Sequence, residues 1–224
     1  MNGSADVAHN LASVQAHIAA AARAAGRDPA SITLIAASKE QPESAVEAAL
    51  AAGLVEFGEN RVQELVRKAS TLAGTAARWH MIGRLQRNKV RAAAPYVSLW
   101  QSVDRVALAE EIARRAPRAS LLVQVNVAGE AQKGGCAPAA TEDLIAACRD
   151  LGCDVRGLMT VPPAATDPRP VFEQLRKMVD HAGLSVCSMG MSGDYEAAIA
   201  EGSTMVRVGS AIFGPRPAGA GARR

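Results

Sequence analysis

Aromatic residues are scarce in this chain. Phe, Trp and Tyr together make up 3% of its 224 residues, which excludes an aromatic-rich β-sandwich and leaves few rings on which nucleic-acid bases could stack. Alanine occupies 47 positions, and because alanine is the best helix former, we expect a helix-rich protein. The length allows one large domain or two small ones, and it is sufficient to bury a hydrophobic core.

Cysteine is also scarce and follows no metal-binding pattern. None of the four cysteines forms a Cys-x-x-Cys pair, and the four histidines do not cluster with them along the sequence. We therefore expect no metal site and interpret the cysteines as reduced thiols. The first residues include no basic segment followed by an apolar core, and no apolar run reaches the roughly 18 residues that a membrane helix needs. We expect a cytoplasmic protein that makes no membrane contact.

Excess charge of either sign is small. The formal net charge is +3, which is too weak to indicate a nucleic-acid-binding protein. One feature favours such a module, because Arg84, Arg87 and Arg91 have the i, i+3, i+7 spacing of one helix face. A face of this kind is usually solvated, and the scarcity of aromatic residues argues against base recognition. We expect no nucleic-acid partner.

A regular alternation of strand and helix patterns fills most of the chain. An alanine-rich helix is predicted over residues 5–25, and eight short apolar runs follow, each with a helical pattern or a turn behind it. The predicted strands are 32–37, 54–57, 78–82, 97–101, 120–127, 154–159, 184–188 and 204–208. Their starts recur about every 24 residues, the length of one compact βα unit.

Eight βα units in a row predict a parallel sheet with two possible closures. An open doubly wound sheet normally has a glycine-rich phosphate turn after its first strand, but here residues 38–42 read Ser-Lys-Glu-Gln-Pro. The number of units favours a single α/β domain, a (β/α)8 TIM barrel with an extra N-terminal helix. We assign this domain to residues 1–217 and predict a disordered tail at 218–224.

Lys39 stands at the carboxyl end of the first predicted strand, where a barrel places its active site. The run at 32–37 should be buried on both faces, and burial disfavours a charged ammonium, so the amine becomes a better nucleophile. Such a lysine suits a Schiff base with a carbonyl compound. The alternative is a lysine that reaches solvent from the strand end or pairs with a carboxylate such as Glu59.

The ends of the last two strands indicate an anion site. Residues 190–194 read Gly-Met-Ser-Gly-Asp after the seventh strand, and Gly209 and Ser210 follow the eighth. The loops after strands seven and eight form the usual phosphate site of a barrel, where glycine N–H groups and a serine hydroxyl such as that of Ser192 donate to the anion. The alternative is two ordinary turns with Ser192 as a helix N-cap.

These two signals meet, because strands one and eight are neighbours in a closed barrel. Pyridoxal 5′-phosphate carries both an aldehyde and a phosphate, so it fits a lysine beside a phosphate site. Arg207, near the end of the eighth strand, could face its pyridine nitrogen. An arginine cannot accept a proton, so it would keep that nitrogen unprotonated and weaken the electron sink. The alternative for Arg207 is a structural ion pair.

Short motifs in a characteristic order extend this reading from about residue 34 to residue 214. They are Ala37-Ser38-Lys39, Phe57-Gly58-Glu59-Asn60, Trp79-His80-Met81-Ile82-Gly83, Ser102-Val103-Asp104-Arg105, Gly157-Leu158-Met159, Ser188-Met189-Gly190-Met191-Ser192, and Arg207-Val208-Gly209 with Ile212-Phe213-Gly214. With them the chain resembles the pyridoxal phosphate homeostasis protein family, whose fold is the alanine racemase N-terminal barrel.

The resemblance assigns roles to individual residues. It implies that Lys39 forms the Schiff base with pyridoxal 5′-phosphate and that Arg207 lies near the ring. The remaining implied pocket residues are Ser192, Gly209 and Ser210 at the phosphate, and Asn60, His80 and Met159 along the pocket wall. Family members often have threonine in place of Ser210, which keeps the hydroxyl. Lys133 matches a loop lysine of the family, and we interpret it as a solvated surface lysine rather than as a recipient of the cofactor.

The chain offers no clear second acid–base group for catalysis. Racemisation needs one on the opposite face of the cofactor, and in the resembled racemases it is a tyrosine from a second domain of the partner subunit, for which we expect no room here. Tyr96 and Tyr195 stand at no predicted strand end. We therefore predict no catalytic residues and a role in binding alone. The predicted protein is a monomeric carrier that holds pyridoxal 5′-phosphate and contacts pyridoxal-phosphate-dependent apo-enzymes transiently. The alternative is a weak amino-acid racemase or another Schiff-base enzyme.

Overall fold

The computed structural model describes residues 3–130, 132–164 and 166–215. Eight parallel strands close into a barrel in sequence order, and the first strand pairs with the eighth. The strands are β1 Thr33–Ala37, β2 Glu56–Glu59, β3 Arg78–Met81, β4 Val97–Val103, β5 Ser120–Gln124, β6 Asp154–Met159, β7 Val186–Met191 and β8 Met205–Val208. The predicted (β/α)8 barrel is confirmed, whereas the predicted tail at 218–224 lies outside the described residues.

Helices alternate with the strands around the outside of the barrel. They are α1 Gly3–Ala24, α2 Glu43–Ala51, α3 Val62–Thr71, α4 Arg87–Ala93, α5 Val106–Arg115, α6 Thr141–Asp150, α7 Arg169–His181, α8 Tyr195–Ala200 and α9 Ser210–Phe213. Short 3₁₀ helices at Pro29–Ser31 and Pro138–Ala140 complete the described elements. Within the described part of the chain, none of these helices is long and apolar enough to cross a membrane.

The extra helix α1 covers the place where the barrel closes. Val7, Leu11, Val14 and Ile18 repeat at helical spacing and are all buried, which gives the helix one apolar face. This face packs against α2, the helix that follows the first strand, and against α8 and α9, which flank the last strand. The Asn10 side chain also donates to the Ile212 carbonyl of α9 at 3.1 Å. Helix α1 therefore braces the segment that follows β8.

The strands are buried on both faces. Their outward side chains join the apolar layer beneath the helices, as expected of a parallel barrel. Inside the barrel, a small apolar cluster is formed by Ile35, Leu99, Leu122, Met159 and Met205. The interior also holds buried polar side chains, among them His80, Gln101, Ser188 and Arg207. Buried polar groups are costly unless they are hydrogen-bonded, so their partners are informative.

Two strand ends differ from the sequence prediction by three residues. Strand β7 continues to Met191 instead of ending at residue 188. It passes so close to α8 that a Cβ on Gly190, whose φ is +95°, would lie 2.6 Å from the Ala198 Cβ, and this contact requires glycine. Strand β5 ends at Gln124 rather than residue 127. There, the Asn126 side chain closes a loop by donating to the Glu130 carbonyl at 2.9 Å.

The predicted arginine face is also different. Helix α4 begins at Arg87, so Arg84 precedes the helix and does not share a helical face with Arg87 and Arg91. All three side chains are exposed. The spacing was misleading because the segment after β3 turns at residues 82–86 before the helix starts.

Candidate functional site

A cleft of about 370 Å³ opens at the carboxyl ends of the strands. Its walls come from the ends of β1, β2, β3, β6, β7 and β8 and from the segments that follow them. It brings together six of the eight predicted site residues: Lys39, Asn60, Ser192, Arg207, Gly209 and Ser210. Its volume lies in the range of small-molecule sites.

The turn that carries Lys39 is held by buried side chains. Lys68 of α3 is fully buried and donates to the Ser38 carbonyl at 2.6 Å and to Glu59 Oε1 at 2.7 Å. The Ser38 hydroxyl donates to the same Glu59 oxygen at 2.7 Å. Because the carbonyl and the hydroxyl of Ser38 are both held in this way, the backbone that leads to the half-buried Lys39 is fixed.

The electrostatics of this cluster depend on the Lys68–Glu59 pair. Burial raises the pKa of Glu59, and the charge and hydrogen bond of Lys68 oppose that effect. Both side chains have no solvent exposure, so each charge depends on the other for compensation. Glu59 was considered from the sequence as a partner for Lys39, and the structure gives Glu59 a direct ion pair with Lys68.

The residue after Lys39 has a strained backbone. Glu40 has a φ of 62°, in the left-handed region that a non-glycine residue adopts at some cost. Its backbone N–H donates to Glu64 Oε2 of α3 at 2.7 Å, and this carboxylate fixes the turn. Helix α3 therefore holds both sides of Lys39, through Lys68 before it and Glu64 after it.

The adjoining wall of the cleft is a compact pair of loops. The Gly209 N–H donates to the Ser192 hydroxyl oxygen at 3.1 Å, and the Met191 N–H donates to Asp194 Oδ1 at 2.5 Å. A Cβ on Gly209 would lie 2.9 Å from the Ala37 carbonyl oxygen, so β8 approaches the end of β1 closely. This approach places the predicted anion-binding loops beside the turn that carries Lys39.

Arg207 is buried between the cleft and the barrel interior, with 5% of its surface exposed. Its Nη1 donates to the Ser188 hydroxyl at 2.6 Å and its Nη2 to the Thr160 carbonyl at 2.7 Å. Burial lowers its pKa to about 10, and the negative charge of Asp194 opposes that shift. Arg207 therefore stays charged at neutral pH. Among the described residues no carboxylate forms a salt bridge with it, which removes support from the ion-pair alternative.

The other two predicted residues, His80 and Met159, are not among those that line the cleft. His80 is buried, and its ring bonds to Glu56 of β2 and Gln101 of β4, each at 2.8 Å. Met159 belongs to the apolar cluster inside the barrel. Both lie on cleft-forming strands, but their side chains point into the barrel core below the opening.

Several residues of this region were not among the eight predicted site residues. Gln41, Ile82, Val161, Met191 and Gly193 line the cleft, and Gln101, Ser188 and Lys68 support it from behind. Polar residues inside otherwise apolar strands are the signal that could have identified Gln101 and Ser188.

Lys133 is partly buried and bonded to neighbouring segments rather than fully solvated. Its Nζ donates to the Pro162 carbonyl at 2.7 Å and forms an ion pair with Glu130. About a quarter of its side chain, 24%, is exposed. Lys133 therefore joins the loop after β5 to the segment after β6.

A larger depression of about 640 Å³ lies on the other side of the Ser192–Asp194 loop, between α1 and α8. It shares Ser192 and Gly193 with the cleft but includes neither Lys39 nor Arg207. Because it lacks both the amine and the buried cation, the smaller cleft is the better candidate for chemistry.

The fold and site define a class of (β/α)8 barrels in which a lysine ends the first strand and an anion cradle follows the last two. The model of one family, described as alanine racemase, N-terminal domain, matches residues 5–217. The pyridoxal phosphate homeostasis protein of Pseudomonas aeruginosa is 44% identical over 224 residues, covering 96% of this chain and 97% of that protein. The chain belongs to the alanine racemase N-terminal domain family and, within it, to the pyridoxal phosphate homeostasis proteins.

Solved structures agree with this assignment. A protein of unknown function from Bifidobacterium adolescentis has a TM-score of 0.87 and 37% identity, covering 94% of this chain and 95% of that one. PipY from Synechococcus elongatus, solved with pyridoxal phosphate bound, has a TM-score of 0.81 and 34% identity, covering 93% of this chain and all of that one. The barrel is therefore shared along almost the whole length of each relative.

Proposed function

We propose that this chain binds pyridoxal 5′-phosphate in the cleft and acts in intracellular vitamin B6 homeostasis by holding and supplying the cofactor. The observation that carries this proposal is the convergence of three groups in one cleft: an amine on Lys39, anion donors at Ser192 and Gly209, and the buried cation of Arg207. The PipY structure with pyridoxal phosphate bound supports the cofactor's identity.

The donor set fits each part of this cofactor. The phosphate suits the Ser192–Gly209 pair and the Ser210 hydroxyl, since backbone N–H and hydroxyl donors bind anions well. The pyridine nitrogen suits Arg207, which can only donate. The aldehyde suits Lys39. The close contact between Gly209 and Ala37 supports this fit, because any larger side chain at Gly209 would intrude where these groups meet.

In this proposal Lys39 attaches the cofactor covalently. Its Nζ attacks the aldehyde carbon, a carbon–nitrogen double bond forms, and the two amine protons leave with the aldehyde oxygen as water. The bound group supplies an electrophilic carbon and an electron-withdrawing ring. Arg207 keeps the ring nitrogen unprotonated and so limits electron withdrawal. The residues of the cleft thus favour retention of the cofactor over carbanion chemistry.

The positions of both tyrosines support a carrier rather than an enzyme. Tyr96 immediately precedes β4, at the amino end of the barrel, and its hydroxyl accepts from Ser70 at 3.0 Å. Tyr195 is buried at the start of α8, and burial raises its pKa. Neither lines the cleft. We propose a monomeric cytoplasmic carrier without robust turnover that meets pyridoxal-phosphate-dependent apo-enzymes transiently.

Titration with pyridoxal 5′-phosphate tests the proposal. The wild-type chain is expected to develop the absorption of an imine-bound cofactor, and Lys39→Ala should abolish it. Lys177→Ala is the control, because Lys177 is an exposed lysine of α7 paired with Glu173. Loaded protein incubated with D- or L-alanine should show no sustained turnover. Racemisation that Lys39→Ala abolishes would favour the weak-racemase alternative, and absent spectral change in the wild type would overturn the binding proposal.

A further inference from the structure

A chain of hydrogen bonds crosses the barrel from Arg207 to the amino end of β2. Arg207 of β8 bonds to Ser188 of β7 at 2.6 Å, and Ser188 bonds to Gln101 of β4 at 2.8 Å. Gln101 bonds to His80 of β3 at 2.8 Å, and His80 bonds to Glu56 of β2 at 2.8 Å. Four of these side chains are buried, and Glu56 is nearly so. The chain connects the floor of the cleft to the far end of the barrel.

The direction of every bond in this chain is determined. Arg207 can only donate, so the Ser188 oxygen accepts and its single proton goes to Gln101 Oε1. The Gln101 amide nitrogen then donates to His80 Nδ1, which must be unprotonated. His80 therefore carries its proton on Nε2 and donates it to Glu56. The chain begins at an obligate donor and ends at an obligate acceptor.

The far end of the chain carries a stable negative charge. Burial favours the neutral carboxyl of Glu56, but the hydrogen bond from His80 and the charge and hydrogen bond of Arg78 outweigh burial and lower the pKa of Glu56. Arg78 also forms an ion pair with Glu56, and 15% of the Glu56 side chain is exposed. Glu56 is thus an ionised anchor at the edge of the barrel.

We propose that Glu56, His80 and Gln101 are positioning residues that act through Ser188 to fix the direction in which the Arg207 guanidinium faces the cleft. This inference rests on the proposed binding of pyridoxal 5′-phosphate. Hydrogen bonds in a chain polarise one another, so the charge of Glu56 strengthens the acceptor that Ser188 offers to Arg207. With Nη1 and Nη2 each held, the guanidinium has one orientation in which to meet a ring nitrogen.

The chain matters because Arg207 lacks a direct carboxylate partner among the described residues. A buried cation is costly unless hydrogen bonds compensate it. If the chain is broken, the Ser188 hydroxyl is free to rotate and the guanidinium loses its fixed acceptor. Binding should weaken, and the ring nitrogen should gain access to a proton.

The test uses the full-length protein loaded with pyridoxal 5′-phosphate labelled with ¹⁵N in its ring. Glu56→Leu and Gln101→Leu interrupt the series of hydrogen bonds without changing a residue that lines the cleft. Ser98→Ala is the control. Ser98 also lies on β4 and loses one hydrogen bond, to the Trp79 carbonyl, but stands outside the chain. Nitrogen NMR reports ring protonation, and titration gives the dissociation constant.

Both leucine variants should raise the dissociation constant, roughly 3- to 30-fold, as expected when a bond to a charged group is weakened. They should also move the ring-nitrogen signal toward the protonated form, while Ser98→Ala matches the wild type. Glu56→Gln still offers His80 an oxygen acceptor but lacks the charge, so its signal should lie between those of the wild type and Glu56→Leu. A merely structural role would change stability and leave the nitrogen signal unmoved.

The contrary results are distinct. Wild-type signals and affinities in folded Glu56→Leu would overturn the positioning role and leave the proposed function standing. Failure of the wild-type chain to bind the labelled cofactor would overturn the proposed function and this inference with it. If Gln101→Leu does not fold, Glu56→Leu decides, because Glu56 lies at the edge of the barrel.

Discussion

The Gly209 N–H donates to the Ser192 hydroxyl oxygen across 3.1 Å, which ties the end of β8 to the end of β7. In this bond Ser192 is the acceptor, so its own hydroxyl proton remains available to donate to an anion. The Ser192 hydroxyl therefore needs no rearrangement before it meets a phosphate. This bond holds the two loops together at the proposed phosphate site.

The first prediction concerns Ser192→Ala, which removes one donor to the phosphate. Binding of pyridoxal 5′-phosphate should weaken roughly 10- to 150-fold, because hydrogen bonds to charged groups contribute roughly 1.5–3 kcal/mol. Binding of pyridoxal, which has no phosphate, should be unchanged. Ser185→Ala, an exposed serine at the opposite end of β7, is the control for both titrations. Equal losses for the two ligands would remove Ser192 from the phosphate site.

The second prediction concerns the close approach of β8 to β1. In Gly209→Ala the new Cβ would lie 2.9 Å from the Ala37 carbonyl oxygen. Because this oxygen belongs to the backbone and cannot move away easily, the free energy of unfolding should fall by about 1–3 kcal/mol. Cofactor affinity should fall as well. Gly193→Ala is the matched control, because Gly193 lines the same cleft and its Cβ would meet nothing within 4 Å. Equal stability of the two variants in urea would contradict the close approach.

The third prediction concerns the buried pair behind Lys39. Lys68→Met leaves the Glu59 carboxylate without its cation and the Ser38 carbonyl without its donor. The free energy of unfolding should fall by about 3–5 kcal/mol, the usual cost of breaking a buried pair. The double variant Lys68→Met, Glu59→Leu should recover part of the loss, because no buried charge remains. Urea unfolding measures all three proteins, and a double variant less stable than the single one would refute the pairing.

The fourth prediction concerns pH. The hydrogen bond from His80 and the charge and hydrogen bond of Arg78 outweigh burial and hold the pKa of Glu56 below its ordinary value of 4.5. Ionised Glu56 therefore stabilises the fold above that value, and the contribution is lost as the pH falls through the folded-state pKa. The difference in unfolding free energy between wild type and Glu56→Gln should be constant near neutral pH and shrink below about pH 4.5. A difference that stays constant from neutral to strongly acidic pH would contradict the lowered pKa.

The order of elements was readable from the sequence because each βα unit repeats the same apolar spacing. The position of Lys39 and the two anion loops followed from the rule that sites form at the carboxyl ends of strands. How far below the cleft a side chain lies along the barrel axis could not be predicted from the sequence, because it depends on how the strands are staggered. His80 consequently faces Glu56 in the core, although its strand ends at the cleft.

Lys68 and Ser188 were not predicted as part of the site because their roles depend on contacts with residues distant in the sequence. Lys68 reads as an ordinary lysine on a helix, and only the buried carboxylate of Glu59 makes it an internal residue. Ser188 reads as a residue at the end of its strand, but the tight passage of Gly190 past α8 extends β7 to Met191. Ser188 therefore lies within the barrel, where it meets Arg207.

The most direct measurement for the central claim is reduction of the loaded protein with borohydride, followed by mass analysis of its peptides. The proposed attachment predicts that the reduced cofactor stays on the peptide that contains Lys39, and that Lys39→Ala carries none. Reduced cofactor on another lysine in the wild-type chain, or on none, would contradict the assignment of Lys39 as the attachment point.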